Sequence, residues 1–265
     1  MKALPEARRP SVCGIRVDAL RRDQLLDLID HATQTRNRLL ILHHNLHSLY
    51  LYQQDPEFAA AYGLASWVYI DGLPVVWLGN ALGLQFNSEH RITFLDCFEN
   101  LIERASQRGW RVFYLGSAED VLNRALHKLR LKYPAVCLDG HHGFFAKGKE
   151  GSEQVIARIN EFGADILFVG MGMPIQEKWL AEHYSELNAA AVLTSGATLD
   201  YVNGDAYRPP AWAGPLGLYG VFRLFSDPRR LWRRYLVEPV ILACYLGPKF
   251  VRQILAARSS KKSLA

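Results

Sequence analysis

The feature that most constrains this chain is a recurrence. Short apolar runs stop at a glycine or a small polar residue and hand over to a helical pattern. "LLILHHN" is apolar from Leu39 to Leu42 and polar by Asn45; "SWVYIDG" carries Val68 to Ile70 into Asp71 and Gly72. "WRVFYLGS" stops at Gly116, "AVCLDGHHG" at Gly143, and "ILFVGMG" runs from Ile166 to Val169 before Gly170. "AAVLTSG" passes Thr194 and Ser195 to Gly196. Helix-compatible stretches such as "LPVVWLGNALG" and "AEDVLNRALHKLRLKY" lie between these runs. Strands alternating with helices predict an α/β chain: a mostly parallel sheet with helices on both faces. In such a sheet the carboxyl ends of the strands share one edge, and a ligand crevice forms there. Each glycine taken alone is an ordinary turn; their joint recurrence is what points to a crevice.

A second expectation concerns "GMGMPIQEKWL", where a buried strand runs into Gly170 and Gly172 and then into Pro174, Gln176, Glu177 and Lys178 at a helix start. Such junctions collect anionic ligands, because unpaired N–H groups and the helix dipole point outward there. GxGxxG and P-loop patterns do not occur, which disfavours a standard dinucleotide or NTPase site.

The 265 residues carry a net charge of +5, and the charge is uneven. From Arg223 onward the chain is +8 and everything before it is −3. Its basic character therefore belongs to the tail. After Tyr207 the βα alternation ends and aromatics, Arg and Pro take over, so a division into 1–206 (core) and 207–265 (appendage) is expected. "LYGVFRLF" and "PRRLWRRYLVEPVILACYL" each suit a helix with apolar groups on one side and Arg on the other. Such helices lie on anionic membrane surfaces, or else cap the core with their aromatics. "VEPVILACYLG" is too short and too broken by proline to span a bilayer. A secretory leader is not evident at the N-terminus, and Cys13, Cys97, Cys137 and Cys244 are scattered in apolar surroundings, which predicts buried thiols in a reducing compartment. A basic-tailed nucleic-acid binder, with Trp232 and Tyr235 stacking bases, is the competing reading; the core supplies no basic stripe for it.

Among residues able to do chemistry, Asp71 stands at a strand end beside Trp67, Tyr69 and Trp77, where partial desolvation would favour a general base. Asp-Gly is equally a common turn. Asn45 is flanked by His43, His44 and His47, but no carboxylate or cysteine spacing completes a metal site. Arg91, in "EHRITFLD", precedes a helix and could pair with phosphate, or simply be solvated.

"DGLPVVW", "HRITFLD", "DGHHGFF", "ILFVGMGMPIQEKW", "SGATLDYVNGDAYRPPAW" and "FRLFSDPRRLWRRY" occur in an order and spacing that resembles the WecG/TagA/CpsF glycosyltransferase family, from about Cys13 to Pro239. The resemblance implies a Rossmann-like core with a membrane-associating helical appendage. It also implies inverting transfer from a UDP-sugar to a polyprenyl-diphosphate-linked saccharide, with no cofactor and no required metal. Neither nucleic acid as partner nor an integral span follows from it. The expected place is the cytoplasmic face of the inner membrane, with the anionic membrane surface as a partner and a homo-oligomer left open.

Matched residue by residue, the resemblance makes Asp71 the base and Asn45 a pocket residue. His43 stands where the family often has threonine, which allows a different acceptor or a changed proton relay. Arg91 would stabilise the leaving UDP, Gln176 would hydrogen-bond a substrate sugar, and Asp200 would lie near the donor. Arg223, Arg230 and Arg233 would close over the site and hold the acceptor's diphosphate. Tyr219 and Gly220 stand where many members have Glu-Trp. The "HHNLHSLYLY" and "GLYGVFRLF" segments look more like the exopolysaccharide branch. The first expectation for the donor sugar is therefore glucose, β-1,4-linked, and the second is N-acetylmannosamine or its uronate.

Overall fold

The computed structural model describes residues 9–12, 14–210, 213–214 and 217–262; the side chains of residues 230, 249–250 and 253–262 lie outside that description, as does Cys13. All six anticipated runs are strands of one parallel sheet. In chain order, a small antiparallel hairpin, β1 (Ser11–Val12) and β2 (Ile15–Arg16), precedes α1 (Arg22–Thr35), and β3 (Leu39–His44) follows. Then come α2 (Leu46–Gln54), α3 (Pro56–Leu64), β4 (Trp67–Ile70), α4 (Leu73–Ala81), α5 (Phe94–Arg108), β5 (Arg111–Gly116) and α6 (Glu119–Lys132). After these lie β6 (Cys137–His141), α7 (Lys149–Phe162), β7 (Ile166–Gly170), α8 (Ile175–His183), β8 (Ala191–Thr194) and α9 (Thr198–Asn203).

The strand order is β4-β3-β8-β7-β5-β6, with every pairing parallel. Alternate residues of the strands face opposite layers, which is why the runs read as continuously apolar. Ile41, Tyr69, Tyr114, Phe168 and Leu193 meet α1, α5 and α6 on one face. Leu42, Val68, Phe113, Leu167 and Val192 meet α3, α7 and α8 on the other. Cys97 is buried under α5 as expected, but Cys244 is exposed, because its helix turns that position away from the core.

The basic tail folds as α10 (Tyr219–Ser226), α11 (Pro228–Trp232), a π turn over Arg233–Val237, and α12 (Glu238–Lys262). Leu242 and Leu246 of α12 are buried with Leu49, Ile70, Val75 and Val76, so the arm shares a third apolar cluster with the hairpin, α2 and α4. Segregation of apolar and Arg side chains to opposite sides is not what the structure shows. Leu231, Leu242 and Leu246 face inward, while Trp232, Leu236, Val240 and Tyr245 are exposed on the same outer face as Arg233. Among the described residues no helix is long and apolar enough to cross a membrane.

Candidate active site

The strand order places the ends of β4, β3, β8 and β7 side by side, and the nominated residues gather there through a connected set of contacts. Asp71 directly follows β4, and its backbone N–H donates to the His44 carbonyl at the end of β3 (2.8 Å). Its carboxylate is partly exposed, with Oδ2 3.9 Å from His43 Nε2. His43 is buried between two strands: its Nδ1 is 3.2 Å from the Thr194 hydroxyl of β8, and its ring packs on Tyr69. Burial pushes the His43 pKa down, against the pull of Asp71 and together with the charge of Arg234. The ring is therefore neutral at pH 7. With the hydrogen on Nε2, the Thr194 hydroxyl donates to Nδ1 and the N–H faces Asp71.

Asn45 is the N-cap of α2. Its Oδ1 accepts from Ser48 N (3.0 Å) and its backbone N–H donates to Ser48 Oγ (2.8 Å), a reciprocal cap that fixes the end of β3. The three histidines do not converge. His44 Nδ1 meets Ser48 Oγ and its ring stacks on Tyr62, whereas His47 Nδ1 reaches Glu238 of the arm at 2.5 Å.

Arg91 is delivered to the same corner by an isolated parallel bridge to Ile70, the residue before Asp71. Its guanidinium donates to Thr93 Oγ1 (2.7 Å) and lies over the Tyr219 ring of the arm (5.7 Å). Tyr219, one of the departures from the family pattern, thus contacts the very cation expected to meet phosphate.

Gln176 sits at the start of α8, in the wall of the same crevice. The side chain is fully buried, its oxygen accepts from the Gly172 and Gly196 amides (3.1 and 3.3 Å), and its nitrogen donates to Glu177 Oε1 (2.7 Å). Both ends thus brace the loops after β7 and β8. Beneath it, burial pushes the Glu177 carboxyl up to about 7, a rise that the Gln176 hydrogen bond and the Arg234 charge oppose.

Further along the edge, Gly116 and Gly170 end neighbouring strands in backbone contact. A Cβ at Gly116 would overlap the Gly170 carbonyl, and one at Gly170 would overlap the Tyr114 hydroxyl. Neither position has room for a side chain, so the two strand ends pack closely there, with the Tyr114 hydroxyl against Gly170. This edge is also a switch point, since β5 connects outward to β6 while β7 connects back to β8. Asp200, in the first turn of α9, lies within electrostatic reach of Tyr114 at this edge.

The arm closes over the Asp71 corner. Arg223 lies over the Tyr201 ring (5.8 Å) and bonds Tyr235. Burial works against its charge, but Tyr201, Tyr235 and the Asp71 carboxylate together raise its pKa. Arg233 is exposed on the outer face, and the Arg230 side chain lies outside the described residues. The arginine that sequence reasoning passed over is Arg234, half-buried and within electrostatic reach of Asp71, His43, His47 and Glu177. Thr194, Glu177, Tyr235 and Glu238 were missed as well. Thr194 and Glu177 did stand in segments the sequence singles out, at a strand end and a helix start, and Tyr235 only in the nucleic-acid reading; Glu238 carried no signal.

The Asp71 corner of the sheet edge thus gathers one carboxylate with Arg91, Arg223 and Arg234, a set whose cations suit an anionic ligand. The profile of the Glycosyl transferase WecG/TagA/CpsF family matches residues 10–259, and the chain belongs to that family of glycosyltransferases. It is similar to the N-acetylglucosaminyldiphosphoundecaprenol N-acetyl-beta-D-mannosaminyltransferase of Staphylococcus aureus, with 26% identity over 86% of each chain. The Bacillus spizizenii protein of the same description is 27% identical over 73% of each.

Proposed function

We propose that this protein transfers N-acetylmannosamine from its UDP donor to an N-acetylglucosaminyl-diphospho-polyprenol, with inversion at the anomeric carbon. The described activity of the Staphylococcus and Bacillus relatives supports this donor sugar ahead of glucose and exopolysaccharide assembly. The observation that carries the reading is the Asp71 carboxylate at the sheet edge, with His43 behind it and Arg91, Arg223 and Arg234 around it.

The acceptor hydroxyl attacks the anomeric carbon, and its proton passes to Asp71 as the new C–O bond forms. The bond to the UDP oxygen breaks on the opposite face of the sugar, and the leaving diphosphate takes the electron pair. Arg91 meets that charge, a role for which guanidinium suits because it stays protonated and binds phosphate bidentately. The uridine end of the donor extends from there along the sheet edge towards Gly116 and Gly170, near Asp200. No step requires a metal ion or another cofactor in this scheme.

The exposed Phe225, Trp232, Leu236 and Val240 face, interleaved with Arg229 and Arg233, rests peripherally on an anionic bilayer and brings the crevice to its lipid acceptor. The test is incubation with UDP-N-acetylmannosamine or UDP-glucose and a prenyl-diphosphate-linked N-acetylglucosamine or glucose, with product mass and linkage read out, in the presence and absence of EDTA. Transfer of glucose alone would overturn the donor assignment, and a strict divalent-ion requirement would overturn the arginine scheme. Oligonucleotide binding without vesicle binding would favour the nucleic-acid alternative.

A further inference from the structure

Two consecutive histidines end β3, and each sets its Nδ1 against a hydroxyl. His44 Nδ1 lies 3.0 Å from Ser48 Oγ, and its buried Nε2 has no partner among the described residues. His43 Nδ1 lies 3.2 Å from Thr194 Oγ1, but its Nε2 has a carboxylate before it, Asp71 Oδ2 at 3.9 Å. Hydroxyl, imidazole and carboxylate thus form a line across the neighbouring strands β8, β3 and β4. Thr194 and His43 are both buried, and the His43 ring packs on Tyr69 with centroids 5.4 Å apart. The backbone is fixed on both sides of the ring. Tyr62 donates to the His43 carbonyl (2.9 Å), and the Asp71 N–H donates to the His44 carbonyl (2.8 Å).

A neutral imidazole carries one N–H and one lone pair. With the hydrogen on Nδ1, the Nε2 lone pair would confront the carboxylate. With the hydrogen on Nε2, the N–H meets Asp71, and the buried Nδ1 lone pair needs a donor, which the Thr194 hydroxyl supplies. Both ring nitrogens are then engaged, so His43 has no free lone pair with which to take a proton. Among the described residues no hydrogen bond holds the Asp71 carboxylate, and His43 is the one ring or cation within 4.0 Å of it. A carboxylate torsion is broad and two-fold, so an unheld Asp71 would exchange its two oxygens. A small turn about that torsion closes the gap to Nε2, and such contacts are commonly long before substrate binds.

We propose that Thr194 and His43 are positioning residues: Thr194 holds the imidazole as its Nε2–H tautomer, and that N–H takes one oxygen of Asp71, leaving the other for the acceptor hydroxyl. The histidine is therefore no proton relay; the proton released as the C–O bond forms stays on Asp71. Naming the acceptor hydroxyl rests on the function proposed above, whereas the tautomer and its hold on the carboxylate do not.

The experiment joins ¹⁵N-histidine NMR of the full chain at neutral pH, with the His43 signals assigned by their loss in His43→Gln, to steady-state sugar transfer. Wild type is expected to show the Nε2–H pattern at His43. Thr194→Val, which keeps the shape and removes the donor, should mix the two tautomers, and Thr194→Ser should restore the single pattern. In turnover, Thr194→Val should lower kcat about tenfold with KM within about twofold, and Thr194→Ser should stay within about threefold of wild type. His43→Gln, whose amide N–H can stand in for Nε2–H, should retain at least about ten times the kcat of His43→Leu. An Nδ1–H pattern in wild type overturns the proposal, as does a Thr194→Val protein with wild-type pattern or wild-type kcat. Equal kcat for His43→Gln and His43→Leu also overturns it, because a proton-carrying histidine would suffer alike from both. Should Thr194→Val not fold, the wild-type tautomer and the His43 pair still decide. If the tautomer behaves as expected but no sugar moves from any donor, the proposed function fails while the hold of Thr194 on His43 stands.

Discussion

Replacing Glu177 by Gln should stabilise the protein, and by an amount that grows with pH. Glu177 is fully buried, its Oε1 accepts from Gln176, and its Oε2 has no partner among the described residues. Burial raises its pKa from 4.5 to about 7. Between those values the folded protein holds a proton that the unfolded chain has already released. Stability therefore falls as pH rises through this window and levels off above the folded pKa. At about 1.4 kcal/mol per pKa unit, the cost reaches about 3 kcal/mol by pH 8.5, of which only about 1 kcal/mol is present at pH 5.5. A glutamine is neutral throughout and keeps the bond to Gln176. Any penalty for its unpartnered amide, about 1–3 kcal/mol, is the same at both pH values. The diagnostic quantity is thus the difference between them: Glu177→Gln should gain about 2 kcal/mol relative to wild type on going from pH 5.5 to pH 8.5. Urea unfolding followed by tryptophan fluorescence measures it at each pH. A stability difference that stays constant within about 0.5 kcal/mol across the range would refute the reasoning.

Three further outcomes follow from the geometry. Asp71→Asn should keep its melting temperature while sugar transfer falls by about 10²–10⁴-fold, since a general base is removed at nearly constant shape; retention of more than a tenth of the rate would exclude Asp71 as base. Gly220→Val should weaken the seating of Tyr235, because the tight approach of that ring leaves no room for a branched side chain, and limited proteolysis should cut the arm sooner while the core fragment resists. Phe225→Ser combined with Trp232→Ser and Leu236→Ser should lower sedimentation with anionic vesicles at least tenfold while leaving turnover on a water-soluble acceptor within twofold of wild type; the three side chains are exposed, so folding should not suffer.

The parallel sheet was legible because strands covered on both faces must be apolar at every position, so that runs such as "ILFV" and "AVLT" stand out without alternation. The carboxyl-edge residues were legible for the complementary reason: where strands leave the core, the chain needs glycine or a polar cap. Asn45 meets that need as the N-cap of α2. What sequence could not convey was adjacency. Nothing in "AAVLTSG" says that β8 inserts beside β3, yet that insertion is what sets Thr194 against His43. It also hid the bracing role of Gln176, since the Gly196 amide that engages its oxygen lies twenty residues away in the chain. The β1–β2 hairpin gave no signal, being too short for a period. In the tail, a regular helical period is interrupted at the π turn, so the identity of the inward arginine could not be counted from the pattern.

The arm joins two requirements that a single amphipathic stripe could not satisfy. On the function proposed above, a lipid-linked diphosphate has to meet cations inside a crevice, whereas a bilayer has to meet cations and aromatics on the outside. Placing adjacent arginines on opposite sides of one helix serves both, provided that its rotation is fixed, and Tyr235 on Gly220 with Glu238 on His47 fixes it. The same geometry offsets the repulsion between Arg223 and Arg234. Each senses the Asp71 carboxylate, and the apolar contacts of Leu231, Leu242 and Leu246 hold the helix down against their repulsion.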